Sequence, residues 1–302
     1  MAASPKYLTG DGAGIKDFIA KFDVCSGLET MSLREFRKRC YFCGQKQFTG
    51  KRIVFVTNNS TKSRQDYVNK IAGMGIEASP DDVFGSSYSA AVYIARILKL
   101  PAGKNKVYVI GEAGAEQELA SEGVPFIGGT DPAFRRDITP ADFAGLADGS
   151  LLDPEVGAVL CGLDFHINYL KLVHGLHYLR RGARFLATNT DSTLPMHRDL
   201  FLGAGSCSVP LANAMGESPL SLGKPSQAMM DAVEGKFQLD RARTCMVGDR
   251  LNTDIKFGID GKLGGTLHVL TGVNTKADWE AKDAIAVPAF YADKLSDLRE
   301  CA

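Results

Sequence analysis

The stretch "TCMVGDRLNTDIKFGIDG", Thr244–Gly261, decides how the chain is read. Thr244–Val247 is a short apolar run of the kind that makes a strand buried on both faces. Gly248 and Asp249 end it abruptly, and a second carboxylate, Asp254, follows on a polar loop that leads into a helix. A carboxylate just past a buried strand lies at the edge where open α/β sheets bind ligands. Two such carboxylates suit Mg²⁺, a hard cation that takes oxygen ligands and keeps several waters. Helix-start capping by both aspartates is the alternative reading.

Outward from this stretch, strand-like and helix-like patterns alternate. "KRIVFVTNNS" reads as a buried strand ending in a polar turn, and "TKSRQDYVNKIAGMG" as an amphipathic helix stopped by glycine. From Pro80 onward, "DDVFGSSYSAAVYIARILKL" reads as a helix. "KVYVIG", "VGAVLCGLD" and "ARFLATNTD" read as strands. "EQELASEG" and "HINYLKLVHGLHYLRRG" read as helices. "PSQAMMDAVEGKF" then gives a helix and "TLHVLTG" a strand. Repeated strand–helix units predict parallel sheets with right-handed crossovers. Two such sheets, the second inserted into the first, fit 302 residues. The expected division is core 1–79, inserted domain 80–205 and core 206–302.

Composition narrows the function classes. Lys+Arg and Asp+Glu are each 35, so no basic excess favours nucleic acid. No apolar run approaches the roughly 20 residues of a membrane span. The first residues, "MAASPKYLTGDGAG", show no basic-then-apolar secretory pattern. Seven cysteines, an odd number, suit a reducing compartment such as cytoplasm or plastid stroma. Cys161 and Cys245 fall in apolar runs and are expected as buried thiols.

Two more pieces carry chemistry at strand ends. Thr57, Asn58 and Asn59 follow "IVFV", where a hydroxyl and backbone N–H groups can hold phosphate oxygens. A plain loop cap is the alternative. Lys224 in "LGKPS" precedes a helix and can offset the charge of a phosphoryl group and a carboxylate together; a solvated lysine is its alternative.

Hydroxyl, lysine and paired carboxylates in this order resemble the later motifs of the haloacid-dehalogenase superfamily. "KRIVFVTNNSTKSR", "ATNTD", "LGKPS" and "MVGDRLNTDIKFG" resemble its phosphoglycolate phosphatase / 4-nitrophenyl phosphatase family over Lys51–Leu298. The resemblance implies a Rossmann-like parallel-sheet core with a large inserted α/β cap, and Mg²⁺-dependent hydrolysis of small phosphate monoesters. It implies phosphoryl binding by Thr57, Asn58 and Asn59, and bridging of nucleophile and phosphate by Lys224. Asp249 would ligate Mg²⁺ and Asp254 complete or support that site. Specificity is expected from the cap, around "GLDFHINYLKL" and "LGAGS", with His166 either a substrate contact or a packed or surface residue. A homodimer through the cap is a family expectation.

One motif departs. The family has Asp-x-Asp-Gly after an apolar strand near the amino terminus, the first aspartate being the nucleophile and the second the general acid/base. No Asp-x-Asp-Gly precedes Thr57 here. In one placement Asp23 is the nucleophile, with Cys25 in place of the acid/base. In the other, Phe22-Asp23-Val24 matches the tract upstream of the motif and the nucleophile is absent. The following run holds Cys40-x-x-Cys43, a weak zinc pattern with Cys25 because it lacks a second close pair. A surface helix over "SLREFRKRC" is a plainer reading.

A third reading is a change of frame. Codons compatible with "CSGLETM", read one nucleotide earlier, can give Val-Leu-Trp-Thr-Gly-Asp-His. Those for "REFRKRC" can give Pro-Gly-Val-Pro-Glu-Thr-Leu. Both resemble the family's continuation after its first motif, in the right order. Residues 25–48 are therefore expected to be out of frame, and the chain as written to have little or no turnover.

Overall fold

The computed structural model describes residues 4–26, 52–197 and 199–299. The Cys40/Cys43 pattern, the "SLREFRKRC" helix and most of residues 25–48, the stretch expected to be out of frame, lie outside the described residues. The chain forms two compact units: Met1–Thr57, Tyr67–Phe84 and Lys224–Ala302 make one, Asn58–Asp66 and Gly85–Gly223 the other.

The first unit is built on a seven-stranded sheet. Its order is Lys6–Tyr7, Phe290–Ala292, Gly265–Val269, Thr244–Gly248, Val24–Ser26, Arg52–Thr57 and Val83–Gly85. The neighbours from Lys6–Tyr7 to Arg52–Thr57 run parallel. Ile53–Val56 and Cys245–Val247 are buried, as strands covered on both faces must be. On one side packs the Gly12–Lys21 helix, whose first turn is fixed by Asp11 accepting the Gly14 N–H. Its Ile15 and Phe18 join Leu8, Phe22, Cys245 and Leu267 in one core. Tyr67 and Ile71 cover Ile53 and Phe55 in another.

The second unit holds a five-stranded parallel sheet in the order Leu220–Ser221, Arg184–Ala187, Val156–Cys161, Lys106–Ile110 and Phe126–Gly128. A separate antiparallel hairpin pairs Thr193–Met196 with Asp199–Leu202. The helices Ala113–Ser121 and Tyr169–Arg180 lie where the apolar period put them.

Two details differ from the sequence reading. "DDVFGSSYSAAVYIARILKL" is not one helix: Val83–Gly85 is a strand of the first sheet, and the helix starts at Ser86. Burial of Val83 and Phe84 at the sheet edge outweighs the helical period of the residues that follow. The second unit also runs to Gly223, past residue 205. Leu211 of the Ala204–Met215 helix packs on Tyr108 and Ile110, and Leu220–Ser221 extends the same sheet. The architecture is a Rossmann-like parallel-sheet core with a large inserted α/β unit.

Candidate active site

The site residues of the first unit gather where its parallel strands end. Ser26 stands opposite Val54 on one side and Met246 on the other. Thr57 and Asp249 each lie three residues past those partners, at one level of the carboxyl edge. Thr57 is buried, and its Oγ1 is 3.1 Å from Tyr67 Oη.

Lys224 draws the edge together. Its side chain has no exposed surface. Nζ donates to the Val56 carbonyl at 3.1 Å and to Asp254 Oδ1 at 2.6 Å. The other carboxylate oxygen, Oδ2, accepts the Arg250 N–H at 3.2 Å. A charged lysine and carboxylate can share so dry a place because each neutralises the other and both are hydrogen-bonded. Gly248 makes room: a Cβ there would lie 2.3 Å from the Asp254 side chain.

Asp249 is held differently. Its Oδ2 accepts the Val273 N–H at 2.9 Å, and its backbone carbonyl accepts the Asn274 N–H at 3.1 Å. Gly272 lies so near that a Cβ would fall 1.7 Å from Oδ2. The turn Gly272–Asn274 is thus a cradle for one carboxylate. The sequence reading missed it, stopping at "TLHVLTG"; a Gly-Val-Asn run directly after a buried strand was the available signal.

These residues fit a hard divalent cation in part. Asp249 presents a carboxylate at the edge, oriented from behind by a backbone N–H, the kind of support that metal-binding carboxylates carry. Both Asp254 oxygens are engaged, Oδ1 by Lys224 and Oδ2 by the Arg250 N–H.

Asp23 requires correction as a candidate nucleophile. It precedes the Val24–Ser26 strand, at the amino ends of the parallel strands, opposite the edge that carries Asp249. Its carboxylate is half exposed and paired with the Arg243 guanidinium, with Nη2 at 2.7 Å from Oδ1. A parallel strand presents its carboxyl end to ligands, so a residue entering the strand is on the wrong side.

Asn58 and Asn59 belong to the second unit. Asn58 Nδ2 donates to both oxygens of Asp191, at 3.1 and 3.2 Å. The Asn58 carbonyl accepts from Ser86 Oγ and Asn189 Nδ2. Asn59 Oδ1 accepts the Thr61 N–H and hydroxyl, closing its own turn. Asp191 ends the "ATNTD" motif, and its part in fixing Asn58 was invisible in sequence because 133 residues separate them.

In the same unit, "GLDFHINYLKL" forms a polar knot after the Val156–Cys161 strand. Asp164 Oδ2 pairs with Lys171 Nζ at 2.6 Å, both side chains fully buried. Glu112 Oε1 accepts the Phe165 N–H at 3.0 Å and lies 3.1 Å from Nδ1 of His166, which is half exposed. Burial pushes the Glu112 carboxyl up, but hydrogen bonds from His166, Phe165 and Arg135 outweigh it and hold it below its ordinary value. At the start of the Ala204–Met215 helix, the Gly205 N–H of "LGAGS" binds the Asp191 carbonyl at 2.9 Å.

Comparison with known proteins shows the family. Residues 45–125 match the haloacid dehalogenase-like hydrolase model, and 221–298 a second, HAD-hydrolase-like model. A 4-nitrophenylphosphatase of Schizosaccharomyces pombe is 44% identical over 95% of this chain and 96% of its own. The chain belongs to the haloacid-dehalogenase phosphatases. Another member of the family, the chloroplastic phosphoglycolate phosphatase 1A of Arabidopsis thaliana, is 41% identical over 82% of this chain and 67% of its own. Among solved haloacid-dehalogenase phosphatases, a glycerol phosphate phosphatase from Mycobacterium tuberculosis in complex with magnesium superimposes with a TM-score of 0.73. It is 27% identical and covers 93% of this chain and 77% of that one. The curated relatives are phosphatases of small phosphate esters.

Proposed function

We propose that the core unit is a Mg²⁺-dependent phosphate monoesterase site for small phosphorylated metabolites, 2-phosphoglycolate first among them. We propose also that the chain as written lacks the group that performs the first step. The observation that carries the reading is Lys224. Its buried ammonium ties the end of the Arg52–Thr57 strand, at Val56, to the loop after the Thr244–Gly248 strand, at Asp254. Three separate motifs thereby meet at one edge.

Each residue then has a task. The Thr57 hydroxyl, at the end of its strand, binds a phosphoryl oxygen. Lys224 supplies positive charge to the equatorial oxygens as negative charge builds there. Asp249 holds Mg²⁺, with Asp254 fixing the lysine. The ion, when bound, offsets charge on the transferring phosphoryl group. Asn58 and Asn59 keep the phosphate loop in shape. In the family's chemistry an aspartate attacks phosphorus and water then hydrolyses the aspartyl-phosphate.

The missing nucleophile separates two readings. If the gene encodes Asp-x-Asp-Gly in the minus-one frame across Val24, its product is the active enzyme. The first family match begins only at residue 45, past most of the deviant stretch, which supports the change of frame. The second reading is a relative that binds phosphate esters and Mg²⁺ without turning them over. It is favoured by an intact Lys224–Asp254–Asp249 set beside an absent motif.

Genomic sequence across Val24 decides the frame; a minus-one frame without the family-like peptide ends that idea. A Mg²⁺-dependent panel of 2-phosphoglycolate, glycerol 3-phosphate, pyridoxal phosphate and 4-nitrophenyl phosphate tests the function. The literal chain is expected to run on the order of 10³-fold or more below the repaired one. Comparable rates from both would overturn the assignment of the missing step. Dimerisation through the second unit is part of the proposal, supported by the hairpin that exposes Leu200, Phe201 and Leu202. Sedimentation at equilibrium checks it.

A further inference from the structure

His268 lies in the middle of the Gly265–Val269 strand, where the surrounding run "TLHVLTG" reads as plain core. It has no exposed surface. An imidazole so deep costs free energy unless its nitrogens are used. One of them is: Nε2 lies 3.1 Å from the carbonyl oxygen of Asn274. A carbonyl only accepts, so Nε2 carries the proton. Nδ1, also buried, has no hydrogen-bond partner among the described residues. The edge of the ring meets Trp279, with centroids 4.9 Å apart, which fixes the imidazole plane. Burial, partly countered by the Asn274 hydrogen bond, holds its pKa below the ordinary histidine value and keeps the ring neutral.

The residue it grips is the far side of the cradle around Asp249. Asn274 donates its N–H to the Asp249 carbonyl at 3.1 Å, and its Oδ1 accepts the Leu251 N–H at 2.9 Å. Next to it, Val273 donates to Asp249 Oδ2 at 2.9 Å. The three contacts fix Asp249 and the start of the loop that carries Asp254. They act on one turn, and that turn is gripped from behind by a buried side-chain donor, the His268 Nε2–H.

We propose that His268 is a positioning residue: its Nε2–H clamps the Gly272–Asn274 turn, which in turn aims the Asp249 carboxylate at the cation. The second half of this statement rests on the metal reading above, and the first half does not. Apolar residues of similar volume would fill the space equally well, so packing alone does not account for a histidine there. A buried donor aimed at one carbonyl does.

The test uses the chain as it exists, with three variants. His268→Phe keeps a ring without the donor, His268→Gln places an N–H near Nε2, and Asp249→Asn weakens the metal ligand. Two measurements are made: amide hydrogen exchange at Val273 and Asn274, and Mn²⁺ affinity from the free-ion signal in electron paramagnetic resonance. His268→Phe is expected to speed exchange at both amides at least tenfold and to weaken Mn²⁺ binding about tenfold, as loss of an outer-shell partner does. His268→Gln is expected to restore most of both. Unchanged exchange in His268→Phe overturns the clamp. Faster exchange with unchanged Mn²⁺ affinity overturns the aiming of Asp249 by the clamp. If Mn²⁺ does not bind, or binds equally well to Asp249→Asn, the metal reading fails by itself. The aiming step then falls with it, and the exchange data decide the clamp.

Discussion

A lysine with no exposed surface needs a fixed counter-charge, and for Lys224 the Asp254 carboxylate at 2.6 Å supplies it. Taking away one member of such a pair leaves the other charged in a dry place, whereas taking away both leaves neither. Asp254→Leu is therefore expected to lower stability by about 3–5 kcal/mol, and Lys224→Met with Asp254→Leu to recover most of the loss. Urea denaturation of the single and double variants measures this; equal losses in both would show that charge pairing is not the cause. Gly272 gives a second prediction. With a Cβ that would fall 1.7 Å from Asp249 Oδ2, Gly272→Ala has to displace the carboxylate or the turn. Mn²⁺ affinity is expected to fall about tenfold or more. A titration that matches the parent chain would remove Gly272 from the cradle.

At the scale of single elements, the Tyr169–Arg180 helix carries a liability. His174 is buried on it beside the rings of Tyr108, Phe134 and Tyr178. Burial pushes its pKa down from 6.5 to about 4. The unfolded chain takes up a proton near 6.5 and the folded chain only near 4, so the unfolded state binds more protons between those values. Stability from this residue is complete above pH 6.5 and is lost as pH falls towards 4, by on the order of 3 kcal/mol. His174→Phe is expected to flatten the pH dependence of the urea midpoint across that window; an unchanged slope would sink the assignment. The elements also show why sequence reading succeeds and fails. Arg52–Thr57 and Thr244–Gly248 were legible because both faces are covered and the apolar run is unbroken. Val83–Gly85 and Leu220–Ser221 were not, since two or three residues carry no period and only a neighbouring sheet makes them strands. Lys224, Asp249 and Asp254 stood out because charge at a strand end beside glycine is unusual. His268 did not, because one histidine inside an apolar strand looks like core until its partner is seen.

For the whole molecule, the division into two units sets how it should come apart. The second unit rests on strands such as Val156–Cys161, six residues and all buried. In the first, the described residues fill the middle of the sheet with Val24–Ser26. There the central position is held by a strand of only three residues. Urea unfolding of the literal chain is expected to show two transitions, the first unit melting earlier, and repair of the frame to raise the first midpoint alone. A single transition insensitive to repair would refute this. Segments almost the whole sequence apart meet in that same unit. Lys6–Tyr7 pairs with Phe290–Ala292, Tyr7 stacks on Tyr291 at 4.8 Å, and Thr9 binds Asp297. On the ribosome, then, Lys6–Tyr7 waits for Phe290–Ala292, which is made much later. A nascent chain halted before Phe290 has a finished second unit and a Lys6–Tyr7 segment still without the strand it pairs with, a long interval in which a chaperone can hold it.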